Sequence, residues 1–568
     1  MKTYIKTALI TSLIMLILTA GAGVILGKLY QDSKEAEKVK TEAEIDMNLF
    51  GSSKVEIEGE TVHELRVNGK NKNVQTFSFK NEKEIYDVKK SAQIRDELER
   101  IKKKNTYSID RPLWAYNPFG TNELSLYLYF KTAVGYSVKY TVHVKEKEIP
   151  DFTRNFYSNK GECIEEHEYL ITGLVPGVKN YILISLYNAK GDMEKQVIYS
   201  IKPSVSDDSL QTRLSGIEGK STEKLANGLY FFLGKDIYLY DNSGVLRGVL
   251  PRVNASTANL LFIENQMVYN YSDNAFAFVD NLGQVHKTYT LDGYKIAGDF
   301  TYDGYGNLFV LASSDKAETT KDRIVAVNLK DGELKERVDL GKIFPDMKKK
   351  ASKGNEDKLN WLNLNSIAMA GSDSVLVSSK ELSSIIKLNG LNSVRPSVDY
   401  ILSQDTVWKD SGYENLLYTK TALEEGDKLF KSQFGQSSLE VVKDADPEQY
   451  YITMLNHNYG NSSTRKDINW SEIEGVGTDE EEGSASKYYK YYIDEEAAAY
   501  MLSNSFNLPY SHEGSAFAYE EHLVVNVSDA KKVLEYDSDG SVIRGLSYKE
   551  TVKPTKIQKQ DMKKFWYR

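Results

Sequence analysis

The segment IYLYDNSG, Ile237 to Gly244, is an apolar strand that ends in an acidic turn closed by glycine. The same pattern returns four times, with a weaker sixth copy that lacks the glycine: FAFVDNLG at 276–283, IVAVNLKDG at 324–332, IIKLNG at 385–390, VLEYDSDG at 533–540 and YYKYYIDEE at 488–496. Units of this kind, most of them about 40 to 60 residues apart, are typical of four-stranded propeller blades. The sequence therefore predicts a six-bladed β-propeller over 206–568.

The interval between the turn at Gly390 and the weak copy near Asp494 is about twice the others. Either a seventh blade lies there, or long polar loops decorate one blade. Loops on a rigid scaffold commonly carry function, and we interpret the interval as one blade with loops.

The acidic run 479–482 lacks the alternating ligands of a Ca²⁺ loop, so neither a metal nor a cofactor is predicted.

Upstream of the repeats, short alternating apolar runs between about 105 and 205 are separated by turns such as Pro176-Gly177. This pattern predicts an Ig-like β-sandwich. The charged segment 31–104, including 82–104 with its helical spacing of apolar residues, predicts a helical juxtamembrane stalk or linker. The chain as a whole is expected to be all-β apart from these N-terminal helices.

The first thirty residues contain an uncharged run from Thr7 to Gly27, preceded by Lys2 and Lys6. As a helix this run is about 32 Å long, which matches a hydrocarbon core of about 30 Å. A cleaved signal peptide is the alternative, because Ala20-Gly21-Ala22 offers the small residues of a cleavage site. We predict a signal anchor over 1–30, a single-pass membrane protein, and a chain whose bulk is extracytoplasmic.

Composition excludes several classes of function. The chain has 568 residues, 72 Lys+Arg against 81 Asp+Glu, and one cysteine, Cys163. A single cysteine rules out an intramolecular disulfide framework and a zinc site built on cysteine clusters. The slightly acidic balance gives no electrostatic reason to expect a nucleic-acid partner.

Four stretches carry a resemblance to a known family: NPFGTNELSLYLYFKT at 117–132, EHEYLITGLVPGVKNYILISLYNAKG at 166–191, NWLNLNSIAMAGSDSVLVSSKELSSIIKL at 360–388 and GSAFAYEEHLVVNVSDAKKVLEYDSDG at 514–540. They resemble the bacterial arylsulfate sulfotransferases. The resemblance implies a β-sandwich followed by a six-bladed propeller. It also implies transfer of a sulfuryl group from a phenolic sulfate to a phenol through a sulfated histidine, with further histidines and an arginine around it.

This chain departs from the family pattern at every histidine that the resemblance places. The positions of the family's histidines are Gly298, Asn363 and, for the nucleophile, Ser437, and the arginine appears as Lys380. A serine sulfate is an unactivated alkyl ester that passes its group on poorly, and no base is evident beside Ser437 in the sequence. The sequence therefore predicts a divergent family member, a pseudoenzyme whose sulfohistidine catalysis is impaired.

Other residues are candidates for a rebuilt or a binding site. His457 and His512 lie beside strands where propeller loops converge, and either is a candidate for a relocated catalytic histidine. Arg465 is a candidate cation. By contrast, His286 and His522 stand in ordinary strand or turn contexts and are expected at the surface.

Three functions follow from these observations. The first is a membrane-anchored protein that binds an anionic or aromatic ligand, such as an aryl sulfate or a phenol, or a partner, at the propeller axis. Its predicted binding residues are Lys380, Asn363, Asn365, Trp361 and Arg465. The second is an active sulfotransferase acting on phenolic sulfates. The third is a cell-envelope scaffold, and fold alone does not choose among them.

Overall fold

The computed structural model describes residues 57–205, 210–255, 258–354, 356–422, 429–442, 447–459, 462–473 and 485–568. The predicted anchor, the first part of the predicted stalk and the acidic run 479–482 lie outside these residues. Within the described ranges, no helix is both long enough and apolar enough to cross a membrane.

The N-terminal domain is a sandwich whose two sheets share one long strand. Its strands are β1 (Val62–Glu64), β2 (Leu113–Tyr116), β3 (Leu126–Val144), β4 (Phe152–Asn155), β5 (Ile164–Ile171), β6 (Asn180–Tyr187) and β7 (Met193–Ile201). The first half of β3 pairs with β2 and β5, and the second half pairs with β4 and β6. The register breaks between Lys131 and Tyr136, where β3 passes from one sheet to the other. The predicted Ig-like sandwich is confirmed.

The helical stretch predicted over 82–104 forms two helices, α1 (Glu82–Ile85) and α2 (Val88–Lys104). They are separated because Asp87 caps α2, its carboxylate accepting from the amides of Lys89 and Lys90. The Ser91 hydroxyl of α2 accepts from the Val285 amide in the propeller, 2.9 Å away. This part of the predicted stalk therefore packs against the folded domains.

Six further sheets form the propeller. In chain order their strands are β8 (Ser215–Glu218), β9 (Leu229–Leu233), β10 (Ile237–Tyr240), β11 (Leu246–Leu250), β12 (Leu260–Ile263), β13 (Gln266–Ser272), β14 (Ala275–Val279), β15 (Val285–Thr290), β16 (Tyr294–Tyr302), β17 (Asn307–Ser314), β18 (Arg323–Asn328), β19 (Leu334–Asp339), β20 (Leu364–Met369), β21 (Ser374–Ser379), β22 (Ser384–Asn389), β23 (Ser397–Leu402), β24 (Thr419–Lys420), β25 (Ser437–Val442), β26 (Gln449–Asn456), β27 (Ser486–Asp494), β28 (Ala499–Leu508), β29 (Gly514–Tyr519), β30 (His522–Val527), β31 (Lys532–Tyr536), β32 (Val542–Ser547) and β33 (Lys556–Gln560). The prediction of six blades is confirmed, and the long interval holds one blade, β24 to β28, with its loops.

Short helical segments lie in the propeller loops. They are α3 (Leu340–Ile343), α4 (Pro345–Lys350), α5 (Asp405–Trp408) and the 3-10 turns Glu414–Leu416 and Trp470–Glu472.

The acidic glycine turns that mark the blades are stabilised locally. At the first turn, the Asp241 carboxylate accepts from the amides of Ser243 and Val245 at 2.8 and 3.0 Å. Gly244 adopts φ +76°, a conformation that favours glycine. An aspartate and a glycine at fixed spacing therefore specify the hairpin at the periphery of a blade.

The ring is closed by strands distant in sequence. β33 is the innermost strand of the first blade and pairs with β9, while β8 is the outermost strand of the sixth and pairs with β32. Between the two blades, the fully buried Lys559 ammonium of β33 lies 2.6 Å from the Glu535 carboxylate of β31. His522 Nδ1 also contacts Glu535, at 2.7 Å. We call Tyr230, His522, Glu535 and Lys559 the closure cluster.

The closure cluster overturns the expectation that His522 is a surface residue, since its side chain is only 10% exposed. Burial by itself raises the pKa of Glu535, but the charge of Lys559 and the hydrogen bonds to its carboxylate outweigh burial and lower that pKa to about 2. The carboxylate stays ionised inside the protein.

The segment 561–568 joins the propeller to the sandwich. Tyr567 bridges to Phe156 next to β4, and its hydroxyl lies 2.6 Å from that of Thr172. A second link is the buried Arg247 of β11, which pairs with Asp241 at 2.7 Å and donates to the carbonyl of Gly173 in the sandwich. The two domains are thus held together by hydrogen bonds within a common apolar core.

Candidate functional site

A pocket of about 210 Å³ lies among the ends of the inner propeller strands and the loops beside them. It is lined by Gly298, Lys321, Asn363, Asn365, Ser366, Lys380, Ser437, Ser438, His457, Glu513, Gly514, Ser515, Thr555 and Lys556. The lining residues come from five of the six blades. We call this the axial pocket.

The axial pocket brings together all four positions at which the chain departs from the family pattern. Gly298 lies in β16, Ser437 begins β25, Asn363 precedes β20, and Lys380 follows β21. These four positions are far apart in sequence but converge on one pocket. Their assignment to family positions from short motifs is therefore consistent with the fold.

Gly298 occupies a backbone conformation that a histidine does not readily adopt. It lies in an irregular part of β16, where pairing with β17 is interrupted between Ile296 and Phe300, and its φ is +114°. A Cβ at this position would lie 3.3 Å from the Cα and the carbonyl oxygen of Asn365. The backbone here is therefore adapted to glycine.

Two lysines give the axial pocket positive charge. The Lys321 ammonium donates to Asn363 Oδ1 at 3.1 Å, and the Lys380 ammonium donates to the carbonyl of His512 at 3.1 Å. Among the described residues, neither ammonium makes an ion pair, although Glu513 lies at the pocket wall. Burial, and then repulsion from Lys380, lower the pKa of Lys321, and the charges of Glu513 and Glu381 oppose that shift only in part.

A third lysine, Lys556, is neutralised. Its ammonium lies 3.2 Å from Asp299 Oδ1, and the same carboxylate accepts from the amides of Phe300 and Ile367. Burial raises the pKa of Asp299, and the charge of Lys556 opposes that rise. Lys556 also lines a second cavity of about 500 Å³ between the inner strands, where burial raises the pKa of Glu440 to about 7.

Ser437 and His457 form a hydrogen-bonded pair in the wall of the axial pocket. Ser437 Oγ lies 2.9 Å from His457 Nε2, and His457 Nδ1 lies 2.8 Å from the carbonyl oxygen of Ser511. The sequence-based expectation that no base stands beside Ser437 is wrong, because β25 and β26 are paired and place the residue after β26 next to the first residue of β25. Burial, and then the charge of Lys380, lower the pKa of His457 to about 3, so its imidazole is neutral.

Asn365 lines the axial pocket, but its side-chain amide is hydrogen-bonded to the protein backbone. Its amide donates to the carbonyl of Gln436 at 2.8 Å, and the Gln436 amide in turn donates to Ser378 Oγ at 3.0 Å. Asn365 therefore fixes the peptide that carries Ser437. Asn363 adopts φ +49°, a left-handed conformation that asparagine tolerates, and it orients Lys321.

Three predicted site residues do not contribute side chains to the axial pocket. Trp361 is fully buried, and its indole N–H donates to the buried Asp322 carboxylate at 3.0 Å. Arg465 is buried in a loop and forms a two-pronged pair with Asp467, both contacts at 2.8 Å. The ring of His512 pairs with Asp529, and only its backbone carbonyl reaches Lys380.

Sequence reasoning missed Lys321 and Lys556. Lys321 stands between the second and third strands of its blade, as Lys380 and His457 do in theirs. This shared loop position was the signal that would have found it. No local sequence pattern predicts that Lys556 lines the pocket, because its position depends on β33 being the innermost strand of the first blade.

The described residues contain no group of three or more histidine, cysteine or acidic side chains suited to hold a metal ion. The axial pocket instead offers ammonium groups, hydroxyls, side-chain amides, the carboxylate of Glu513 and one neutral imidazole. Such a set can hold an anion and can accept a proton from a hydroxyl.

Fold and site together define a class, namely a sandwich–propeller protein with a basic, hydroxyl-lined pocket on the propeller axis. The family model described as Arylsulfotransferase (ASST) matches residues 216–568, and the Arylsulfotransferase Ig-like domain matches residues 113–204. The chain belongs to the arylsulfotransferase family, which confirms the resemblance seen in the sequence.

Among curated proteins, no significant match to the chain is found. Solved structures that match include a streptogramin B lyase (10% identity, TM-score 0.32, covering 61% of this chain and 93% of that one) and the periplasmic gluconolactonase PpgL of Pseudomonas aeruginosa (10%, 0.28, 71% and 94%). BamB of Moraxella catarrhalis also matches (9%, 0.26, 70% and 91%). At these identities and TM-scores, nothing about function follows from them.

Proposed function

We propose that this arylsulfotransferase-family protein binds an aryl sulfate, or a closely related aromatic anion, in the axial pocket. We also propose that it does not transfer sulfate through a histidine at the family's nucleophile position. The observation that carries the proposal is the pair of ammonium groups, on Lys321 and Lys380, that line one pocket and form no ion pair among the described residues.

An anion in the axial pocket would remove an electrostatic cost that the empty site carries. The lowered pKa of Lys321 reflects that cost, because both burial and the second ammonium disfavour its charged form. A sulfate ester offers charged oxygens to both lysines, and charge-assisted hydrogen bonds of this kind are about twice as strong as neutral ones. The neutral His457 and Ser437 add polar contacts without adding negative charge.

Impaired sulfohistidine catalysis is supported by two features of the same pocket. Ser437 stands where the family's nucleophilic histidine is expected, and a serine sulfate lacks the lability of a sulfated imidazole. Gly298 replaces a second histidine, and its φ of +114° shows that the backbone has settled into a conformation suited to glycine.

The uncharged run from Thr7 to Gly27 supports a further proposal, that residues 1–30 anchor the protein in the cell membrane with its bulk outside the cytoplasm. Protease added to intact spheroplasts is expected to digest the domains, and full protection would contradict this orientation.

Calorimetric titration with 4-nitrophenyl sulfate tests ligand binding, using full-length protein with the Ser437→Ala substitution so that only binding is measured. Lys380→Gln on this background is expected to weaken binding about 10- to 100-fold, the effect of losing one hydrogen bond from a charged donor. Lys342→Gln is the matched control, because the Lys342 side chain is 77% exposed on the outside of a blade. Binding that Lys380→Gln leaves unchanged would contradict the proposed site.

A further inference from the structure

The pair Ser437–His457 has the arrangement of a nucleophile and its base. Oγ and Nε2 are 2.9 Å apart, a normal hydrogen-bond distance, and a third group orients the base, since Ser511 O lies 2.8 Å from Nδ1. A weaker contact, 3.4 Å, joins Ser437 Oγ to the carbonyl of Gly514. The imidazole is 1% exposed and is hydrogen-bonded at both ring nitrogens, so its orientation is fixed before any ligand arrives.

The hydrogen bonds determine where the protons are. A backbone carbonyl only accepts, so His457 Nδ1 carries the proton and donates it to Ser511. Nε2 is then unprotonated and accepts the proton of the Ser437 hydroxyl. The remaining lone pairs of Ser437 Oγ are free to face the pocket in which Lys380 lies.

We propose that Ser437 and His457 act as a nucleophile and base that take one sulfuryl group from an aryl sulfate and retain it as a serine sulfate. This inference rests on the proposed binding of an aryl sulfate between Lys321 and Lys380. Under this proposal the axial pocket accepts one sulfuryl group per chain and keeps it. Transfer through a histidine would instead pass the group on to a second phenol.

The step balances with the groups in the axial pocket and the ester. Ser437 Oγ forms a bond to sulfur, the bond between sulfur and the aryl oxygen breaks, and the phenolate leaves with the electron pair of that bond. The hydroxyl proton passes to His457 Nε2 and from there to solvent. Lysine ammonium groups offset the charge of the sulfonyl oxygens, which favours the transfer electrostatically.

The reaction is expected to stop after this step, because the two leaving groups differ in stability. A phenolate is a stable leaving group, so the aryl sulfate reacts readily once it is positioned. The serine alkoxide is a far poorer leaving group, and neither water nor a second phenol displaces it at a useful rate. The modified protein is therefore expected to accumulate.

The test is to incubate full-length protein with 4-nitrophenyl sulfate, with and without phenol, and to follow nitrophenolate release and protein mass. We expect about one nitrophenolate per chain, independent of phenol, and one added SO₃ group that peptide mapping locates on Ser437. Ser437→Ala should abolish both signals. His457→Ala should slow the release about 100-fold, at the lower end of the range for general bases, since this imidazole is weakly basic.

His286→Ala is the control, because His286 pairs with Asp280 at the surface of another blade. Phenol-dependent release of many equivalents would overturn the single-turnover proposal and establish a transferase. No adduct on protein whose Ser437→Ala variant still binds 4-nitrophenyl sulfate would overturn the nucleophile assignment and leave the proposed function intact. No binding by that variant would overturn the proposed function itself.

Discussion

Neutralising Glu535 should weaken the closure of the propeller more than any exposed ion pair does. Glu535→Gln keeps the shape of the side chain but leaves the Lys559 ammonium, which is 0% exposed, without its counter-charge at 2.6 Å. Breaking a buried pair from one side typically costs about 3–5 kcal/mol. Hydrogen bonds from His522 and Tyr230 to the same carboxylate are altered as well, so the upper half of that range is expected.

The double variant Glu535→Gln/Lys559→Met separates charge burial from packing. It removes both charges, and replacing a buried pair by neutral groups is often close to neutral in energy. The double variant should therefore be about 1–3 kcal/mol more stable than Glu535→Gln alone, because it no longer buries an unpaired ammonium.

Urea unfolding followed by tryptophan fluorescence measures these effects as shifts of the midpoint. The control pair is Glu333→Gln and Lys335→Met, whose side chains are 52% and 47% exposed and whose loss should cost at most about 1 kcal/mol. A midpoint for Glu535→Gln equal to that of the control, or a double variant less stable than either single one, would refute the reasoning.

Three further predictions concern the axial pocket and its surroundings. Gly298→His should lower the free energy of unfolding by about 1–3 kcal/mol, because its φ of +114° is strained for any other residue, and an unchanged urea midpoint would contradict this. The affinity of the Ser437→Ala protein for 4-nitrophenyl sulfate should be constant at low pH and fall as pH rises through the lowered pKa of Lys321, before ordinary lysines titrate. Calorimetry between pH 7 and pH 10 checks it, and a flat profile would count against Lys321 as a ligand. Trp361→Phe should cost about 1–3 kcal/mol of stability by leaving Asp322 without its indole donor, yet should not alter affinity for the same ligand.

The fold was predictable because its signals are local. An aspartate that accepts from the amides of its own turn, as Asp241 does, needs no distant partner, and repetition of that turn reveals the blades. The closure of the ring was not predictable in this way, because β33 and β9 pair across the whole propeller. Nothing near Lys556 indicates that it reaches the axis.

The site was predictable only in part. Gly298, Asn363, Ser437 and Lys380 were found because they stand in motifs with recognisable neighbours. Trp361, a residue retained from the family motif, proved to be structural, since a buried indole and a buried carboxylate satisfy each other.

The pair Ser437–His457 needed the register of two strands. Ser437 pairs with Leu455, which puts the residue two positions further along within reach of its hydroxyl. Short motifs report identity at a position, but they do not report which side chains meet across strands.

The closing strand also constrains the order in which the molecule folds. Lys559 meets Tyr230 across 329 residues of chain, so during synthesis the first blade exists for a long period without its inner strand. Contacts this distant in sequence form slowly and leave apolar edges uncovered in the meantime. We expect the nascent propeller to be sensitive to proteases and dependent on chaperones until β33 is in place, and to become resistant in a single late step.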